Sequence, residues 1–285
     1  MAGKKRRQVV ELVEEFLKFP GCRIEHFASN NGKRCRLKQI AKLPEQAVKV
    51  LEDPPENDLY FSLYEDLGGD YLSTPLWETW GFAFGKNRQQ RPLSGIHFHV
   101  PPEFLLKNTE TFLGFSCWCA ENTGVIHGTV GLGVLGGIGS EDISDSYWYP
   151  WLQAYPGLEY EASGLYWSET RKGGHDLPRS SNWLTILGDE NIARLGGEAQ
   201  IRRQLTDGMS FLPFKGGAII RACEKPALGN AASGGIPEGY RTAARIIKPI
   251  RFEGYQRGII KTPKELGFTR EQDLQVTLEW VRRFD

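Results

Sequence analysis

Between Asn182 and Asp189 the chain reads Asn-Trp-Leu-Thr-Ile-Leu-Gly-Asp, and Ala193-Arg194-Leu195-Gly196-Gly197 follows a few residues on. A short apolar run that closes on a glycine has the pattern of a buried strand. The residues after it predict a turn into a short helix that stops at the double glycine. A buried strand needs other elements to cover it, so this stretch dictates architecture. It holds no nucleophile, no pair of metal ligands and no phosphate-binding loop.

The chain has 285 residues, of which 40% are hydrophobic and 25% charged, enough to bury a substantial core and unlike a disordered protein. Aromatics make up 12% and include eight tryptophans, which points to large contact surfaces in the core or at an interface. Lysine plus arginine and aspartate plus glutamate number 35 each, so the balance is neutral. That removes the electrostatic case for direct nucleic-acid binding by the whole chain. Lys4-Lys5-Arg6-Arg7 is a lone basic run and reads as a solvated start. There is no apolar run long enough to span a bilayer, and acids at Glu11, Glu14 and Glu15 interrupt any export signal. Five scattered cysteines fit a reducing cytoplasm.

Apolar spacing predicts a helix over 8–18, ended by Pro20-Gly21, and a smaller one over 44–52 before Pro54-Pro55. Strands are predicted over 58–64 and 95–100. Asn108 is placed to cap a helix whose stripe is Phe112, Phe115 and Cys119, with Trp118 alongside, and 125–135 follows as a glycine-rich strand. In the second half, strand 183–187 leads to helices at 189–195 and 198–205. A hairpin of 210–214 and 218–223 turns at Lys215-Gly216-Gly217, and the loop 229–239 opens into a helix containing Tyr240. The expected fold is α+β, with mixed, largely antiparallel sheets and packed helices. It reads as one domain, 1–285, in two lobes of about 1–160 and 161–285. A strand-helix-strand echo suggests similar lobes, though no residue motif is shared.

Gly131-x-Gly133-x-x-Gly136 spells a dinucleotide pattern, but that chemistry needs the glycines between a strand and a helix N-terminus inside a βαβ unit. Here they lie within an apolar strand with the acidic Glu141-Asp142 after them, so close approach by another group is the better reading, and no cofactor is expected. His97 and His99 alternate onto one face of a strand, as metal ligands would, and His127 could join them. Cys117 and Cys119 diverge on their helix, so the set does not close into a four-ligand site. Asp189 follows a strand-ending glycine and is expected to cap a helix. Neither a nucleophile elbow nor a catalytic cysteine neighbourhood occurs, so the residues do not describe an enzyme.

The segment 139–157 stands apart. Glu141, Asp142 and Asp145 are followed at once by Tyr147, Trp148, Tyr149 and Trp151. Acids beside rigid aromatics suit a basic protein partner, with rings as anchors and charge for steering. An ordinary loop whose aromatics fold inward accounts for the same residues equally well.

Several motifs in order carry a family likeness. They are Pro101-Pro102-Glu103-Phe104-Leu105, His127-Gly128, Tyr155-Pro156-Gly157-Leu158, the Trp183–Asp189 block, Leu195-Gly196-Gly197, Gly216-Gly217-Ala218-Ile219-Ile220 and Tyr240. Together they resemble a family of bacterial type VI secretion immunity proteins, which neutralise nuclease effectors of the VRR-NUC and related restriction-endonuclease-like kinds. The likeness covers about 58–260 and is strongest over 95–250; the N-terminal region and 229–235 match less clearly. It implies a cytoplasmic antitoxin that binds a cognate nuclease effector and blocks it; the residues themselves call for no membrane, cofactor or metal. Its shared motifs are scaffold, so no catalytic residue is carried over. A binding module for another protein and a histidine-based metalloenzyme are the competing classes.

Overall fold

The computed structural model describes residues 3–29, 34–37, 42–52, 57–68, 74–83, 94–135, 141–160, 163–170 and 173–285; within these, the side chains of 3–6, 34, 141–145 and 163 lie outside the description. Two compact units are present: Met1–Lys107 with Gly137–Ser140, and Asn108–Gly136 with Glu141–Asp285. The lobe boundary read from sequence, near residue 160, falls inside the second unit.

The first unit runs α1 (Gly3–Leu17), β1 (Ile24–Ser29), β2 (Arg34–Arg36), α2 (Glu45–Leu51), β3 (Leu59–Glu65), β4 (Glu78–Ala83), β5 (Ser94–His99) and α3 (Pro102–Lys107). Among the described residues its strands form an antiparallel sheet in the order β2-β1-β3-β4-β5. The apolar stripe of α1 explains its place: Val9, Leu12, Val13 and Phe16 are fully buried. Phe16 meets Phe98 of β5 and Trp77 at ring-centroid distances of 5.0 and 5.9 Å. Phe61 and Leu63 of β3 complete the buried set.

The second unit continues with α4 (Thr109–Thr123), β6 (His127–Val130), β7 (Gly133–Val134), α5 (Glu141–Ala154), β8 (Glu159–Tyr160), α6 (Ser163–Thr170), β9 (Leu184–Gly188), α7 (Asp189–Arg194), α8 (Glu198–Arg202), β10 (Ser210–Phe214), β11 (Gly217–Arg221), α9 (Glu238–Ile247) and α10 (Arg270–Val281). Its described strands pair antiparallel in the order β10-β11-β9-β6, while β7 and β8 form a short parallel pair. The fold is α+β with mixed, largely antiparallel sheets. β9 is the buried strand expected from sequence, with every residue of it buried. Leu187, Ile220, Phe211, Ile201, Ala243, Ile246 and Ile247 make the core between this sheet, α8 and α9. Trp183, with no exposed surface, donates its indole N–H to the Cys223 carbonyl at 2.8 Å.

Three local expectations change. Gly188, not Asp189, holds the N-cap of α7; Asp189 lies in the first turn, where its charge faces the positive end of the helix dipole. Asn108 occupies the N-cap of α4, but its side chain makes no capping bond. The glycine-rich stretch is two strands, not one, and β7-α5-β8 is a small parallel βαβ unit where none was expected.

Candidate partner-binding site

α5 is the largest departure from the sequence reading. The acidic-aromatic stretch, read as a loop, is a helix from Glu141 to Ala154 that contains Pro150. A helix sorts neighbouring residues onto different faces, and the aromatics divide accordingly. Tyr147 and Trp151, one turn apart, are 74% and 61% exposed, and Tyr155 just beyond the helix is also exposed. Trp148 packs edge-on against Tyr160 at 5.6 Å, Tyr149 against Phe268 at 6.4 Å, and Leu152 is buried. The rings are therefore divided: Trp148 and Tyr149 fold inward, while Tyr147 and Trp151 stand out. Glu141, Asp142 and Asp145 belong to the first turns of the helix; their side chains lie outside the described residues.

The exposed rings sit on a firm base. Leu228, also exposed, accepts a hydrogen bond from Gly157 N–H at 2.6 Å just past the helix. A Cβ at Gly157 would stand 2.0 Å from the Ala227 carbonyl, so only glycine permits that approach. Exposed tryptophan and tyrosine on an ordered helix are side chains of the kind that dominate protein interfaces.

Other candidates are accounted for locally. Gly131 gives room to Asn182, whose Oδ1 would lie 2.2 Å from a Cβ there, which matches the close-approach reading. Residues 136–140 lie outside the described residues. His97 stacks on Trp80 at 4.1 Å, and His99 Nδ1 lies 3.1 Å from Glu78 Oε2. His127, on β6 in the other unit, places Nε2 3.1 Å from the His175 carbonyl and 3.3 Å from the Tyr166 hydroxyl. Enclosure lowers its pKa to about 4, so it is neutral at physiological pH. Burial pushes the thiols of Cys117 and Cys119 up, away from reactive thiolate. Among the described residues no group of three or more His, Cys, Asp or Glu side chains is placed to hold a metal. None of the described helices is long and apolar enough to cross a membrane.

A shallow cleft of about 520 Å³ lies between Gly174, Asp176, Leu177, Arg194 and 249–251. Its charges are matched within the chain: Arg194 bonds Asp176 at 2.6 Å, and Arg251 bonds Glu253 and Asp285. Such a cleft has little unsatisfied charge with which to hold a polar ligand.

The α+β scaffold has a counterpart among solved structures. The Pseudomonas aeruginosa T6SS protein PA0821 is 19% identical, with a TM-score of 0.83 over 99% of this chain and 78% of that one, a likeness of fold. No curated protein matches. The fold thus falls in a class that includes a type VI secretion protein. The family described as Type VI immunity for VRR-NUC, TsiV, matches residues 29–284, and the chain belongs to it.

Proposed function

We propose that this chain is a non-catalytic, cytoplasmic immunity protein that binds a cognate VRR-NUC effector and blocks its nuclease activity by covering the DNA-binding or active-site cleft. The observation that carries this reading is the family match over residues 29–284. The neutral balance of 35 basic and 35 acidic residues agrees with a protein partner rather than direct nucleic-acid binding. α5 is part of the inhibitory face in this reading. Its sequence has three acids and no lysine or arginine, and it exposes Tyr147 and Trp151. A nuclease cleft is basic, so carboxylates can compete there while rings supply buried anchor area.

The test is co-expression with a VRR-NUC effector from the same genome. The chain should co-purify with that effector and keep genomic DNA intact. Failure to bind it would sink the function. Charge reversal of Glu141, Asp142 and Asp145 to lysine, and separately Tyr147→Ala with Trp151→Ala, should each weaken binding at least about tenfold, with the melting temperature near normal. If both sets bind as wild type, α5 is not in the interface and the family-level reading stands without it.

A further inference from the structure

The root of α5, Tyr155 to Tyr160, is gripped from several directions within the second unit. Arg283, just past the end of α10, donates Nε–H to the Pro156 carbonyl at 2.7 Å and Nη1–H to the Trp280 carbonyl at 3.0 Å. Its Nη2 stands 3.5 Å from Glu159 Oε2, and its side chain is only 6% exposed. Arg179 Nη2 reaches Glu159 Oε1 and the Tyr160 carbonyl, each at 2.7 Å. Asn182 Nδ2 donates to Glu159 Oε2 at 3.0 Å and to the Gly157 carbonyl at 3.3 Å. Both guanidinium groups pack on Trp280, Arg283 4.0 Å and Arg179 5.2 Å from its ring centroid. An aromatic chain then runs from Trp280 to Tyr160 and on to Trp148, on the inward side of α5.

A buried, charged arginine is expensive to desolvate and is retained where its directional donors are used. Here one guanidinium holds the carbonyl that leaves α5 and the carbonyl that ends α10. We infer that Arg283 is a positioning residue for effector recognition: through Pro156 it fixes the rotation of α5, and so which rings the helix presents. This rests on the reading of α5 as part of the inhibitory face. Pre-ordering those rings removes a conformational cost that binding would otherwise carry.

The experiment is a double-mutant cycle on the full chain with its effector. Arg283→Lys keeps the charge but has no planar fork to serve both carbonyls. In the wild-type background it should weaken effector binding about tenfold; in the Tyr147→Ala, Trp151→Ala background it should change affinity less than about twofold. Hydrogen exchange supplies a readout without the effector: amides of 146–155 should open faster in Arg283→Lys, while those of β9 and β11 stay protected. Arg283→Met, which has similar reach but no donor for the Pro156 carbonyl, serves if the lysine variant does not fold. Equal weakening in both backgrounds, or wild-type affinity and exchange in the arginine variants, would overturn the inference. If the ring variants themselves bind normally, the α5 reading falls and takes this one with it.

Discussion

His127 shows how a single enclosed group ties stability to pH. In the unfolded chain a histidine titrates near 6.5, whereas here enclosure holds the imidazole neutral down to about 4. Between those values the unfolded chain takes up a proton that the folded chain refuses. The contribution is therefore full above about pH 6.5, declines as pH falls, and is gone below about pH 4, with a ceiling of about 3 kcal/mol. Urea unfolding at pH 7.0, 5.5 and 4.5 should show wild type losing more stability than His127→Gln over that range; parallel losses would refute it. The same scale shows what the sequence made legible. Gly131 was readable as a place of close approach because a glycine in an apolar run without a βαβ reading has few other uses. That its neighbour is Asn182, 51 positions on, was not readable, because spacing along the chain does not report contacts across it.

Among elements, those with one clean apolar face were legible. β3, β5, β9 and the β10-β11 hairpin lie close to where periodicity and turn residues placed them, while α1 ends as expected but begins at Gly3, ahead of the predicted 8–18. α5 was not, for physical reasons. Pro150, Ser144 and Ser146 depress its helical propensity, and its large apolar side chains occupy both faces, Tyr147 and Trp151 outward, Trp148 and Leu152 inward, which blurs the period. The tertiary bonds at its root override that weak local signal. α10 carried a legible start that the periodicity reading passed over: Thr269 and Gln272 form a reciprocal capping box. The far end of α10 is fastened by charge. Asp285 takes Arg251 at both oxygens, 2.6 and 2.9 Å, and Lys248 at 3.0 Å, joining it to the segment after α9. Those bonds hold the Asp285 carboxyl down at about 2. Asp285→Asn leaves Arg251, its side chain 1% exposed, with Glu253 alone. We expect a loss of about 1–3 kcal/mol by chemical denaturation, and an unchanged midpoint would show that Glu253 suffices.

For the whole molecule, the division into units and the charge balance bear on recognition differently. α5 belongs to the second unit together with the groups that grip its root, Arg179 and Arg283 among them. Net charge is zero, so the chain as a body has no monopole to draw a basic effector from a distance. Any steering would have to come from local charge, and the proposed source on α5 is the run Glu141, Asp142 and Asp145, in a helix with no lysine or arginine. Local steering is short-ranged: the Debye length shrinks from about 10 Å at 0.1 M salt to about 3 Å at 1 M. If these acids steer the effector, raising salt should slow association by about tenfold while dissociation changes little, because the anchoring rings are apolar. The variant Glu141→Gln, Asp142→Asn, Asp145→Asn should start slower and lose most of that salt dependence, with Tyr147 and Trp151 still setting the dissociation rate. Stopped-flow association measured across the salt series separates the two contributions. A variant whose salt slope matches wild type would place the steering charges elsewhere on the molecule.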